Sequence, residues 1–239
     1  MRNWNVLIKL LVVFCFWSVP ANAQTKQVVD LELVLAVDCS GSVDNREFDL
    51  QMVGLAKAFV HDDVIRALGV AGNRGVAVSL VQWSGYQTQT RSVDWFVVRD
   101  AASALRFAKM ILESKRFVRG STSTAGAIQF STNEILTNAY EGRRKIIDVS
   151  GDGRSNPNLS FAQSMLAQKQ GITINGLVIF GKESDFGVLA DFDLAQFYAE
   201  NVVGGEGAFL MEAKGYEDFA RAIRKKLVRE ISGNAVARR

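Results

Sequence analysis

Short apolar runs alternate along the chain with longer segments in which apolar residues recur three or four positions apart. The continuous runs predict buried β-strands, and they cover residues 31–37, 76–83, 145–150, 172–180 and 208–211. The periodic segments predict amphipathic helices, and they cover residues 48–68, 101–117, 124–136, 159–169, 189–201 and 216–231. Residues 88–97 alternate weakly after the second run and predict a short antiparallel edge strand.

The order of these elements predicts the fold class. Buried strands that alternate with amphipathic helices are typical of βαβ units. We therefore expect an α/β fold with a doubly wound, mostly parallel sheet, one short antiparallel edge strand and helices on both faces. In such sheets, ligands bind beyond the carboxyl ends of the strands, near the point where the strand order reverses. The first strand normally lies at that point, and Asp38 follows it.

The first 23 residues predict a secretory signal peptide. Two basic residues accompany an apolar run at residues 10–19, and an Ala-Asn-Ala sequence that ends at Ala23 has the small-x-small pattern of a cleavage site. The run is shorter than the roughly 20 residues of a membrane-spanning helix. We expect cleavage after Ala23, a periplasmic or secreted protein with no stable membrane span, and a single domain over residues 24–239.

Composition narrows the class of partner. The chain carries 28 basic and 25 acidic residues, and removal of residues 1–23 lowers its net charge from +3 to +1. The net charge is close to zero, and the sequence has no basic cluster of the kind found in nucleic-acid-binding proteins. Nucleic acid is therefore not an expected partner. Signal cleavage leaves a single cysteine, Cys39, which excludes an intramolecular disulfide and suits a bacterial periplasm. The oligomeric state is open at this stage.

Oxygen-bearing side chains follow the first predicted strand at alternate positions. The sequence Asp-Cys-Ser-Gly-Ser places Asp38, Ser40 and Ser42 two residues apart, and alternate residues of an extended chain point the same way. Their oxygens are hard ligands that suit Mg²⁺, Mn²⁺ or Ca²⁺ better than zinc. Two further segments carry similar chemistry: the hydroxyl-rich loop at 119–128 and the strand end at 146–153.

These three segments resemble the von Willebrand factor A domain, also called the integrin I-like domain. The metal-ion-dependent adhesion site of that family combines Asp-x-Ser-x-Ser with a distant threonine and a distant aspartate. The resemblance covers about residues 30–231, and the stretch Ile-Asp-Val-Ser-Gly-Asp-Gly is similar to a bacterial family of exported von Willebrand A-like proteins of unknown function. The resemblance implies a metal site formed by Asp38, Ser40, Ser42, Thr122 and Asp152.

Two aspartates compete for the last of these positions. Asp152 stands in Gly-Asp-Gly, where the family usually has Thr-Asp-Gly or Ser-Asp-Gly, and Asp148 lies four residues earlier. We favour Asp152 because it lies beyond the predicted strand end, whereas Asp148 lies inside the strand. Whether Asp148 shares the role of Asp152 stays open.

The resemblance implies a binding role. Ser40 and Ser42 would bind the cation directly, Thr122 directly or through water, and the two aspartates largely through water. The divalent cation, most simply Mg²⁺, would keep one position open for a carboxylate of a partner protein. The expected function is an exported, non-catalytic, metal-dependent protein-binding domain, and not an enzyme.

Other interpretations of the same residues exist. Each segment by itself is also typical of helix caps or of a glycine turn. A metal-dependent hydrolase or phosphotransferase on a similar sheet is the alternative function. The phosphotransferases that begin with Asp-x-Asp need a second carboxylate where this chain has Ser40, and the glycine-rich nucleotide-binding loops are missing from the sequence.

Overall fold

The computed structural model describes residues 25–181 and 188–233, so the predicted signal peptide lies outside the described residues. The strands are β1 (Gln27–Val29), β2 (Leu31–Asp38), β3 (Val76–Trp83), β4 (Gln89–Val98), β5 (Tyr140–Gly142), β6 (Lys145–Gly151), β7 (Thr173–Ile179) and β8 (Leu210–Ala213). The helices are α1 (Asn45–Phe59), α2 (Asp62–Ala71), α3 (Ala101–Glu113), α4 (Thr124–Thr137), α5 (Pro157–Lys169), α6 (Val188–Asn201) and α7 (Phe219–Ser232). Within the described ranges, no helix is both long and apolar enough to cross a membrane.

The six-stranded main sheet confirms the predicted fold class. Its strands follow the order β4–β3–β2–β6–β7–β8, and every neighbouring pair is parallel except β3 with β4. The strand order reverses at β2, because β3 lies on one side of it and β6 on the other. The carboxyl end of β2, where Asp38 lies, is therefore at the switch point of a doubly wound sheet.

Helices cover both faces of the sheet because alternate residues of β2 point to opposite sides. Leu33 and Leu35 belong to a buried cluster that also contains residues of α1, α2, α3 and α7. Val34 and Ala36 belong to a second cluster, which contains residues of α4, α5 and α6. This two-sided burial explains why β2 is apolar throughout instead of alternating.

The structure differs from the predicted elements at three places. Residues 48–68 form two helices and not one, because the chain turns at His61, whose Nδ1 accepts a hydrogen bond from the backbone N–H of Asp63 at 3.1 Å and caps α2. The antiparallel edge strand β4 has 10 residues and is not short. The small parallel pair of β1 with β5 was not predicted, since three residues give no measurable period.

Candidate metal centre

The loop after β2 has a fixed path around Asp38. The carboxylate of Asp38 is fully buried, and its Oδ1 accepts a hydrogen bond from the backbone N–H of Ser40 at 2.7 Å. The backbone N–H of Gly41 donates to the carbonyl oxygen of Gly120 at 2.7 Å. The second contact joins the loop after β2 to the hydroxyl-rich loop, so two of the three predicted segments meet here.

The hydroxyls and the second carboxylate converge on one point above the sheet edge. Ser40 Oγ lies 3.1 Å from Ser42 Oγ, and Ser42 Oγ donates to Asp152 Oδ1 at 2.7 Å. The hydroxyl of Tyr216 donates to the other oxygen of Asp152 at 3.0 Å. Asp152 and Ser42 come from segments 110 residues apart, and they meet because β2 and β6 end side by side.

Thr122 lies beside this group. Its Oγ1 is 3.4 Å from the place that a Cβ on Gly153 would take, so it adjoins the residue that follows Asp152. The capping role that the sequence left open for Thr122 and Thr124 belongs to Ser123, whose side chain accepts from the backbone N–H of Gly126 at 3.2 Å. Thr124 instead forms hydrogen bonds with serines of the α5 region.

Asp148 lies away from the group. It pairs across the sheet with Leu35, three residues before Asp38. Its buried carboxylate lies 2.8 Å from the ammonium of Lys226, on α7. The structure thus brings Asp38, Ser40, Ser42 and Asp152 together, places Thr122 beside them, and leaves Asp148 in a separate ion cluster.

Burial sets the protonation behaviour of Asp38. Removal from water, reinforced by the nearby charge of Asp152, raises the pKa of Asp38 from 3.8 to about 7, and hydrogen bonds from Ser40 offset only part of this. The second oxygen, Oδ2, is buried without a hydrogen-bond partner among the described residues. A buried, unpaired carboxylate oxygen is costly unless a positive group compensates it.

Cys39 points to the opposite side, as the alternation predicts. It is buried among the apolar residues of the first cluster. Burial raises the pKa of its thiol to about 12, and the charge of Asp38 contributes in the same direction. A thiol that stays protonated is a poor nucleophile and a poor metal ligand, so Cys39 is a core residue.

Arg116 is the main site-forming residue that the sequence analysis missed. Its guanidinium donates to the carbonyl oxygens of Cys39, Ser40 and Val43, each at 2.8 Å. These carbonyls belong to the loop that carries Ser40 and Ser42, so Arg116 holds that loop from outside. No local pattern marks such a residue, because its partners are backbone atoms more than 70 positions away.

The donor set fits a hard divalent cation. Two carboxylates and the serine and threonine hydroxyls offer oxygens only, which suit Mg²⁺, Mn²⁺ or Ca²⁺. Among the described residues, Asp38 Oδ2 is a buried acceptor without a hydrogen-bond partner. Among residues 25–181 and 188–233, no group of three or more histidine, cysteine, aspartate or glutamate side chains is placed to hold a metal. A cation here would therefore depend on hydroxyl ligands.

The sequence also matches a described family. The profile of the family "Protein of unknown function (DUF1194)" matches residues 28–235. The chain belongs to this family. Among curated proteins, no sequence matches the chain.

Solved structures with the same fold include adhesion and matrix proteins. The pilus adhesin SpaC of Lactobacillus rhamnosus GG is 15% identical with a TM-score of 0.61, and 87% of this chain matches 31% of the adhesin. BatB of Bacteroides thetaiotaomicron is 16% identical with a TM-score of 0.55, covering 85% of this chain and 100% of BatB. Proximal thread matrix protein 1 of the mussel byssus is 15% identical with a TM-score of 0.53, and 85% of this chain matches 46% of that protein. Its structure is described with zinc in the MIDAS motif, the metal-ion-dependent adhesion site.

These similarities establish the fold and no more. At such identities the structures show that this member of DUF1194 has an α/β fold of the von Willebrand A and Rossmann type. The chain spans only about a third of the pilus adhesin. Activities and partners of those proteins are not transferred by the fold alone.

Proposed function

We propose that this DUF1194 protein is an exported von Willebrand A-type domain that binds a divalent cation and, through it, an acidic group of a partner protein. The observation that carries the proposal is the convergence of Ser40, Ser42 and Asp152 beside Asp38. The Oδ2 atom of Asp38 is buried without a hydrogen-bond partner among the described residues. Thr122 completes the proposed set. A similar structure with a metal in a MIDAS motif supports the proposal.

The side chains of the proposed site have two roles: some would bind the cation, and others would compensate its positive charge. Ser40 and Ser42 would supply neutral oxygens, and Asp152 orients Ser42 by accepting a hydrogen bond from its hydroxyl. Asp38 would contribute negative charge from below, partly neutralising the cation. A bound Mg²⁺, or Mn²⁺ or Ca²⁺, would supply an electrophilic centre with a position open to a partner's carboxylate.

The surroundings of the site favour a protein partner with acidic groups. Ser42 is exposed, while Ser40 and Asp38 below it are buried, so the group opens outward at the sheet edge. Phe117 is 62% exposed next to Arg116, and exposed Arg119 lies in the loop that carries Thr122 and donates to the neutral side chain of Asn45. Exposed aromatic and arginine side chains are enriched in protein interfaces, and positive charge attracts an acidic partner.

The similar structures agree with a binding role. They are adhesins, a pilin, matrix proteins and uncharacterised bacterial proteins, and the solved examples include a pilus adhesin and a membrane protein. This supports a position outside the cytoplasm, which the signal peptide predicted over residues 1–23 would provide. The alternative function is a metal-dependent hydrolase or phosphotransferase. Turnover of generic phosphoester or ester substrates by the purified protein would support it.

Calorimetry tests the cation site directly. The protein is stripped with EDTA and titrated with Mg²⁺, Mn²⁺ and Ca²⁺, and Ser40→Ala is compared with Ser92→Ala, a serine on the edge strand β4. We expect Ser40→Ala to lose at least about tenfold in affinity, equivalent to about 1.4 kcal/mol, with an unchanged circular dichroism spectrum. Ser92→Ala should bind as the parent does.

The titration is repeated in acetate buffer, because a free carboxylate can stand in for the partner. Binding seen only with acetate would mean that the partner's carboxylate completes the cation's coordination. Failure to bind any of the three cations in either buffer would contradict the proposal. An equal affinity of the parent and Ser40→Ala would place the cation elsewhere.

A further inference from the structure

Helix α5 exposes its apolar side chains and buries its small polar ones. Its buried residues are Ser160, Ser164 and Ala167. Its large apolar residues are exposed instead, with 48% of Leu159, 51% of Phe161, 38% of Met165 and 52% of Leu166 accessible to solvent. This arrangement is the reverse of an ordinary surface helix, in which the apolar stripe faces the core.

Hydrogen bonds fix the rotation of α5 in this orientation. Ser160 Oγ lies 2.7 Å from Thr124 Oγ1 on α4. Ser164 Oγ donates to the carbonyl oxygen of Val202 at 2.9 Å, just after α6. Turning the apolar residues inward would break both contacts and bury larger side chains where serines now fit, so the outward apolar face is a built feature of the fold.

The exposed side chains form one patch. On a helix with 3.6 residues per turn, Leu159, Ala162 and Leu166 lie along one line, and Phe161 and Met165 lie along the adjoining line. At roughly 100 Å² for each half-exposed large side chain, the patch covers on the order of 400 Å². This lies within the range of roughly 300–600 Å² covered by the largest apolar patch of a typical soluble protein, and such patches are often functional.

We infer that this α5 patch, defined as Leu159, Phe161, Ala162, Met165 and Leu166, is the centre of a two-fold contact between two copies of the chain. Residues 157–168 contain no charged side chain, and the exposed Lys169 that ends α5 lies one turn beyond Met165, at the border of the patch. Antiparallel packing of the two α5 helices about Ala162 places the two lysines at opposite ends of the contact, so these like charges do not face each other. The amides of Asn158 and Gln163 border the patch and can pair with each other across a two-fold axis.

The area agrees with a reversible dimer. Two patches together would remove roughly 800 Å² of apolar surface from water, and bordering polar residues would bring the contact to the lower end of specific interfaces, about 1,200 Å². We expect dimers that dissociate in the micromolar range of concentration. A charged partner surface would instead leave its charges against an uncharged apolar face, which is unfavourable.

Sedimentation tests the contact in the protein as processed and purified from the periplasm of the producing cell. We expect the parent to shift from monomer to dimer with rising concentration. Met165→Glu should weaken dimerisation at least about tenfold, because it places two like charges in the contact. Leu112→Glu is the matched control: Leu112 is 55% exposed on α3, on the other face of the sheet, and its substitution should leave the dimer unchanged.

Cysteine cross-linking identifies the surface. Ala162 lies near the middle of α5, so Ala162→Cys should give a covalent dimer on mild oxidation, while Ala102→Cys, exposed on α3, should not. Cys39 is buried and does not compete. A parent that stays monomeric at all concentrations, or a dimer that Met165→Glu leaves intact, overturns the inference. A separate protein that co-purifies in stoichiometric amount and masks Ala162→Cys would also overturn it.

Discussion

Arg116 shows how much of the candidate site depends on a single side chain that is not part of any motif. Five guanidinium N–H groups suit the capture of several carbonyl oxygens at once, and the structure uses them on the loop that carries Ser40 and Ser42. The face of the same side chain lies 5.8 Å from the ring of Phe48. The loop is thereby held before any ligand binds, which lowers the entropic cost of binding.

Replacing Arg116 with lysine should loosen the loop. One ammonium cannot replace the forked guanidinium on the three carbonyl oxygens that Arg116 contacts at 2.8 Å. We therefore expect the free energy of unfolding to fall by about 1–3 kcal/mol and the affinity for a divalent cation to fall at least about tenfold. Urea unfolding and calorimetry of the same preparation measure both effects.

Arg119→Lys is the matched control, since Arg119 lies in the same loop and, within the part of the chain that the structure describes, its side chain donates only to the exposed side chain of Asn45. We expect its unfolding free energy to change by less than about 0.5 kcal/mol. If Arg116→Lys lowers the free energy of unfolding as little as Arg119→Lys does, the positive charge that lysine retains is sufficient, and the contacts with the carbonyl oxygens do not hold the loop.

At the scale of elements, a buried ion cluster attaches α7 to the sheet. Lys226 is fully buried and lies 2.8 Å from Asp148 on β6, and it also donates to Glu230 on its own helix. Asn175 on β7 donates to Glu230 at 2.8 Å. Burial, followed by the charge of Asp148, raises the pKa of Glu230. One cation thus compensates two carboxylates in the interior.

Replacing Lys226 with methionine should destabilise the fold strongly. The methionine fills a similar volume but leaves Asp148 and Glu230 buried without a cation, which typically costs about 3–5 kcal/mol. Thermal and urea unfolding measure the change. Lys225→Met is the control, because Lys225 is exposed on the same helix, and it should cost little.

An unchanged stability of Lys226→Met would contradict this account, in which one cation compensates two buried carboxylates. In that case Asp148→Asn and Glu230→Gln should also leave the free energy of unfolding unchanged.

The exposed face of α5 belongs to the same scale, since whole-helix orientation, and not any one residue, creates the proposed dimer contact.

At the scale of the whole molecule, the buried carboxylate of Asp38 couples stability to pH. Its pKa in the folded protein is about 7, against 3.8 when unperturbed. The folded state therefore holds a proton that the unfolded state has released, and stability decreases as the pH rises from 3.8 towards 7. With about 1.4 kcal/mol for each pH unit, the loss approaches about 4 kcal/mol at its upper limit.

Without divalent cations, we expect the free energy of unfolding to be higher at about pH 4.5 than at about pH 7.5, as measured by urea unfolding in EDTA. Asp38→Asn should remove the part of this difference that Asp38 contributes, while Glu230, whose pKa is also raised by burial, keeps the remainder. Asp49→Asn, at an exposed residue of α1, should keep the whole difference. Saturating Mg²⁺ should restore stability at the higher pH, because a cation favours the ionised carboxylate. Equal stability at both pH values in EDTA would contradict this account.

The sequence by itself determined the alternation of the main-sheet strands with helices, the doubly wound sheet, and the approach of the loops that carry Ser40, Thr122 and Asp152. These features depend on local signals: the period of apolar residues, the alternation of side chains along a strand, and the rule that parallel strands end at one edge of the sheet. The signal peptide, the cation and the partner remain predictions of the sequence and its resemblance.

Only the tertiary structure decided the rest. It separated Asp148 from Asp152, because Lys226 approaches Asp148 from a helix 78 residues further along the chain. It placed Arg116 on backbone carbonyls of another segment, and it turned the apolar side of α5 outward through serine hydrogen bonds. Each outcome depends on contacts between distant segments, whose free energies leave no period or motif in the local sequence.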